Sequence, residues 1–272
     1  MAYFHYSHLK GKADYGHQVV CVLLSCNGIT LSYAMILYDK MISKTDIVKQ
    51  IAEELPIPPK AGYLLCDSWY TCVKVMDAFL AKGFYTVGTV RTNRIVYPYG
   101  IGMKIKELSQ KLNEAACRKL FHIVTVKGRK YYVYRYEGSL KGIPDAVILL
   151  TYPVEAFGKE KSLRAFISID VSLSDQEILE RYVQRWKIEV FFRTIKNRLA
   201  FDHFQVRSVK AVHRLWDLLL LVYLLSCSAS DAFDFLEGFT MLTYQIQEEL
   251  YGLLYDAAVS DQSKSASLAL AR

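Results

Sequence analysis

Residues 62–91, GYLLCDSWYTCVKVMDAFLAKGFYTVGTVR, decide the fold. The run 62–67 is apolar, too short for a helix, and ends on the carboxylate of Asp67, so it reads as a buried strand. Residues 71–81 have helical texture closed by Gly83, and 84–91 form a further strand rich in Val, Thr and aromatics. Upstream, 17–25 and 29–38 are β-branched and aromatic runs split by Cys26-Asn27-Gly28, which predicts a hairpin. Residues 45–55 place Val48, Ile51 and Leu55 at helical spacing and stop at Pro56-Ile57-Pro58-Pro59, where a helix cannot continue. The order strand, strand, helix, strand, helix, strand predicts an α/β sheet with helices packed on it.

Downstream the texture changes. Residues 100–163 are Tyr- and Val-rich and read as mostly β, with 121–126 and 131–136 flanking the turn Lys127-Gly-Arg-Lys130. They look like an insertion between two halves of the α/β domain. Residues 164–171 read as another strand. Ser174, with Glu177 three residues on, opens a long helix by a capping box, and 209–258 are largely helical. The expected division is 1–99 and 164–210 for the α/β domain, 100–163 for the β-rich insertion, and 211–272 for a helical C-terminal region. A Ser/Ala-rich tail after Ser260 is expected to fray.

With 272 residues, 52% of them hydrophobic, the chain can bury a sizeable core and is not a disordered sequence. The six cysteines form no C-x-x-C pair and no zinc-like cluster, so they read as buried thiols of a reducing compartment. The start lacks a secretory pattern, and the most apolar stretch, 218–225, is far short of the roughly 20 residues of a membrane span. A cytoplasmic protein is expected. The net charge of +7 is concentrated: residues 181–214 hold nine Lys and Arg against Glu189 and Asp202, and the rest of the chain balances. A localised basic stripe points to a polyanionic partner.

That stripe lies on the helix after Ser174. At about 100° per residue, Tyr182, Arg185, Glu189 and Lys196 fall on one face, with Arg193 on the same side. Ile188, Phe191, Phe192, Ile195 and Leu199 make the neighbouring apolar stripe that docks it. Two readings are open. Glu189 pairs with Arg185 and Arg193 on a solvated face, or the cations are phosphate ligands beside a metal-binding acid. Asp67 likewise reads either as a turn or N-cap aspartate ahead of the next helix, or as a carboxylate above the sheet edge that shares metal ions with Glu189.

The spacing Tyr182-x2-Arg185-x3-Glu189-x6-Lys196 resembles the Y-(2)-R-(3)-E-(6)-K signature of DDE transposases of the insertion-sequence-four type. Asp67-Ser-Trp-Tyr resembles that family's second-aspartate motif, and Arg91-Thr-Asn-Arg94 the basic stretch after the next strand. The β-rich segment before the glutamate helix fits the family's insertion. The resemblance, from about His17 to Lys210, implies an RNase H-like mixed sheet with flanking helices, interrupted by a β-rich insertion. It implies cutting and joining of transposon ends with two Mg2+ (or Mn2+) ions, Asp67 and Glu189 being metal ligands. Tyr182, Arg185 and Lys196 would contact DNA, with Arg193, Arg91 and Arg94 as further backbone contacts, and a homodimer in a synaptic complex is implied. No membrane partner is expected. Trp69 and Tyr70 beside the site are expected to pack rather than stack on bases.

One departure matters. The family's first aspartate lies on a strand upstream of the 17–38 hairpin. Asp14 sits in a polar, Gly-bracketed stretch that reads as a loop, and Asp39 reads as a turn residue. The expectation is therefore an N-terminally truncated transposase, inactive alone for want of one metal ligand. The alternative is a non-catalytic DNA-binding or inhibitory fragment; an unrelated α/β protein with a solvated charged helix is the third reading.

Overall fold

The computed structural model describes residues 3–7, 11–114, 118–206 and 208–259. In chain order the strands and helices are β1 (Tyr3–Ser7), β2 (Lys12–Gly16), β3 (Gln18–Cys26), β4 (Ile29–Tyr38), α1 (Lys44–Glu54), β5 (Gly62–Cys66), α2 (Val73–Leu80), β6 (Phe84–Val90), β7 (Ile95–Val96), β8 (Met103–Lys104), α3 (Ile105–Leu112), β9 (His122–Val126), β10 (Arg129–Leu140), β11 (Ile143–Pro153), β12 (Arg164–Ser168), α4 (Asp175–Val183), α5 (Lys187–Leu199), α6 (Val209–Ala229) and α7 (Phe235–Val259). They divide into two compact units, one made of residues up to Leu37 and from Phe191 onward, the other of Tyr38–Val190.

The Tyr38–Val190 unit is built on one mixed sheet in the order β5-β6-β12-β11-β10-β7-β8, with β9 paired to β10. β5 and β6 run parallel, in the register Cys66 to Gly88, and the other pairings are antiparallel. Alternation along a strand sends successive side chains to opposite faces. On β11, Ile148, Leu150 and Tyr152 join one core with Met76 of α2 and Ile105, Leu108 and Leu112 of α3. Val147 and Leu149 join the opposite core with Val87 and with Ile178 and Leu179 of α4. Helices thus cover both faces, the layering of an α/β domain, and the mixed sheet is that of an RNase H-like fold.

The segment 100–163, expected as an insertion, supplies β8 to β11, which lie in the same sheet as β5, β6 and β12. It also contains the helix α3, whose Ile105, Leu108 and Leu112 are buried at helical spacing and which the mostly-β reading had not anticipated. The two tight hairpin turns hold residues in the left-handed region, Asn27-Gly28 at φ 49° and 86° and Lys127-Gly128 at 46° and 78°, as two-residue hairpin loops require.

In the other unit, β1 pairs with β2 and β3 with β4, each as a two-stranded antiparallel ribbon. Asp14, expected in a loop, lies in β2 opposite His5. The pairing comes from β1, which lies upstream and gives residues 12–16 no local apolar signature. The core gathers Leu37 of β4, Phe191 and Ile195 of α5, Phe201, and Val212 and Trp216 of α6, with Phe192 and Leu199 packed against it. α6 is long and apolar enough by length and composition to cross a membrane, yet it plants Val212 and Trp216 in this core.

Of the cysteines, Cys66 and Cys227 are buried as expected, but Cys26 is exposed at the hairpin turn; among the described residues all are free thiols. Cys117, Arg207 and the tail after Ser260 lie outside the described residues.

Candidate active site

β5 ends at Cys66, and Asp67 opens the loop that leads into α2. The loop is firmly tied. Asp67 Oδ1 accepts the Trp69 N–H at 2.8 Å, an Asx-turn, and Tyr70 N–H donates to Asp67 O at 3.1 Å. Thr71 Oγ1 donates to Thr89 O at 2.9 Å, lashing the loop to β6. Gly88 allows this approach, because a Cβ there would sit 2.6 Å from Thr71 Cγ2 and 2.9 Å from Cys66 O. Of the two bland roles for Asp67, the turn is real. The N-cap is not, since α2 is capped at Cys72 without a side-chain bond. Asp67 itself is exposed at the strand end.

The glutamate helix was expected to be continuous. Instead α4 and α5 are joined by a 3₁₀ turn, Gln184–Trp186. The Arg185 guanidinium lies 5.7 Å from the Tyr182 ring centre, as residues three apart on a helix are neighbours. No residue between 182 and 187 is a helix breaker, so the sequence carried no warning of it.

α4 and the 3₁₀ turn run along β5. Arg181 lies 4.0 Å over the ring of Tyr63, near the start of that strand. One turn on, Arg185 comes within electrostatic reach of Cys66 at its end. One turn further, Glu189 accepts a hydrogen bond from Arg185 Nη1 at 3.1 Å. Arg185 is thus bonded to Glu189 and acts on the end of β5, after which Asp67 emerges. Burial works against the charge on Arg185, but Tyr182 and Glu189 outweigh it and hold its pKa above the ordinary value.

The remaining residues separate by role. Tyr182 packs its ring edge-on to Phe166, 4.9 Å between centres, as part of the core. Arg94 donates to Thr71 O at 3.3 Å and Lys141 O at 3.2 Å, so much of its hydrogen bonding holds the Asp67 loop to its surroundings. Arg91 is exposed and lies 5.7 Å from the Trp69 ring centre. Trp69, expected to pack, is 57% exposed, whereas Tyr70 is partly buried; burial, with Asp67 and Cys66 adding to it, pushes the Tyr70 hydroxyl up to about 12. Arg193 and Lys196 belong to the other unit, where Lys196 pairs with Asp202 at 3.6 Å.

Sequence reading missed Lys44. It starts α1, lies 5.0 Å from the Tyr38 ring centre, and is near enough to Asp67 that the carboxylate opposes the effect of burial, which lowers its pKa. Only the packing of α1 brings it there, and nothing local marks it.

The carboxylate oxygens of Asp67 and Glu189 are a hard donor set of the kind Mg2+ and Mn2+ prefer. Burial pushes the Cys66 thiol well up, which keeps it protonated and outside that set. Among the described residues no group of three or more His, Cys, Asp or Glu is placed to hold a metal.

An RNase H-like sheet thus carries an exposed carboxylate at a strand end and, on the helix beside it, an Arg–Glu pair. The family described as Transposase DDE domain matches residues 3–225, and the chain belongs to that family. It is thus a transposase domain, of a class that binds and cuts DNA and generally uses divalent metal ions. No curated protein matches the chain.

Proposed function

We propose that the chain is a catalytic domain of the insertion-sequence-four type, acting on the ends of a mobile DNA element with Asp67 and Glu189 as ligands of Mg2+ or Mn2+. The observation that carries this is Arg185, which is bonded to Glu189 and reaches the end of β5 where Asp67 emerges. Divalent ions bound there would polarise the scissile phosphate and activate the attacking oxygen. The protein's own groups bind and orient. Asp67 is fixed by its Asx-turn and the Thr71 tether. Arg185 holds Glu189 and supplies positive charge for a phosphate. Arg91 adds a contact beside Trp69, Tyr182 acts by stacking under Arg185, and Arg193 and Lys196 are separate phosphate contacts of the other unit.

In this reading a third acidic ligand completes the site. A homodimer that pairs two element ends, in the cytoplasm, belongs to the same proposal. Fluorescence anisotropy with a labelled DNA duplex at several salt concentrations tests it. Binding should weaken steeply with salt, and Arg185→Gln and Lys196→Gln should each reduce the slope of log affinity against log salt by about one. Slopes unchanged in both variants would overturn the DNA-binding assignment.

A further inference from the structure

The hairpin between β7 and β8 presents a side chain that the site above does not use. Tyr99 is fully exposed and sits at φ 55°, ψ 30°, in the left-handed region. That conformation is unfavourable for a bulky residue and persists only where the surroundings fix it. They do so here. Pro98 is buried, and Tyr97 N–H donates to the Tyr136 hydroxyl at 3.1 Å. Gly100 N–H bonds Tyr97 O and Ile101 N–H bonds Pro98 O, both at 3.1 Å. The loop is therefore held rigidly while Tyr99, and Ile101 at 64% exposure, face solvent.

The base of this hairpin is cationic. Backbone hydrogen bonds from Ile105 to Arg94 O, Lys106 to Thr92 O and Lys141 to Ile95 O gather Arg94, Lys104, Lys106 and Lys141 around it. Their ion-paired acids are Glu107 with Lys104 and Glu160 with Lys106, which leaves an excess of positive charge. A rigid aromatic tip with an apolar neighbour on a cationic base suits a ligand that offers both flat π-faces and phosphates.

We propose that the Tyr99–Ile101 tip is a second DNA contact, in which Tyr99 stacks on a base and Ile101 wedges beside it, while the cations below take the backbone. This rests on the DNA-binding reading of the chain and adds a contact within the Tyr38–Val190 unit, formed by other residues than Asp67, Arg185 and Glu189. A neutral protein surface would have no use for the cationic base.

The test is anisotropy with a labelled DNA duplex containing a single-stranded gap, on the full chain. Tyr99→Phe should bind like wild type. Tyr99→Asn, which keeps the left-handed backbone without the ring, should lose roughly tenfold in affinity. It should leave the salt slope unchanged and the thermal midpoint the same or higher. Wild-type affinity in Tyr99→Asn, alongside weakened binding in Arg185→Gln, overturns this contact and leaves the proposed function standing. An equal loss in Tyr99→Phe also overturns it, since the ring would then not be the contact. Wild-type protein that binds no DNA overturns the proposed function and this contact together.

Discussion

β11 and α7 are both rich in apolar residues, and they meet opposite fates. From Ala146 to Tyr152, every residue of β11 is buried. α7 spans 25 residues and buries Phe235, Gly238 and Ala257, while Tyr244, Ile246, Tyr251, Leu253 and Tyr255 stand more than half exposed. β11 has strands on both sides and helices over both faces, so any apolar side chain it carries finds a partner. α7 pairs with α6, and α6 itself leaves Leu218, Leu221 and Leu225 exposed. Apolar composition states what a segment can bury; the number of neighbours decides what it does bury.

The comparison breaks if the two regions respond alike to truncation. Leu149→Ala, in the fully buried part of β11, should cost about 3 kcal/mol in denaturant unfolding. Leu221→Ser, half exposed on α6, should stay within about 0.5 kcal/mol. Similar losses would mean that the helical pair is as closed as the sheet. A smaller effect is expected where α7 does meet α6. A Cβ at Gly238 would collide with the Ser226 carbonyl, so Gly238→Ala should cost about 1–3 kcal/mol. An unchanged melting curve would show that the pair is not packed there.

The smallest effect is one of pH. Burial alone would raise the pKa of Asp170, but hydrogen bonds from Ser172 and the Tyr63 hydroxyl outweigh it and hold the carboxyl below its usual range. Its stabilisation is present above the ordinary carboxylate pKa and is lost as pH falls through the lowered folded value, on the acid side of about pH 4. Asp170→Asn should flatten the acid limb of stability against pH for the sheet unit; an unaltered limb would remove Asp170 from that balance.

The same logic explains what the sequence disclosed. The strand before Asp67, α1, both hairpin turns and the capping box at Ser174 are local patterns, and each is present, the box with both of its bonds made. The Arg185–Glu189 pair was legible because a spacing of four along a helix brings the two side chains together, and they are bonded. Three features were not. The 3₁₀ turn at Gln184–Trp186 arises among ordinary helix formers, the strand around Asp14 depends on a partner upstream, and Lys44 reaches the site only through the packing of α1. Trp69 was misjudged for a related reason: aromatics usually pack, but the tight loop tied at Thr71 turns this one outward beneath Arg91.

We propose above that Asp67 and Glu189 serve one metal site. Mn2+ titration followed by electron paramagnetic resonance tests it most directly, using wild type, Asp67→Asn, Glu189→Gln and the double variant. The account predicts that each single change weakens Mn2+ binding at least about tenfold and that the double variant is little worse than either, because both remove the same site. Wild-type affinity in either single variant, or losses that simply multiply in the double, would contradict it.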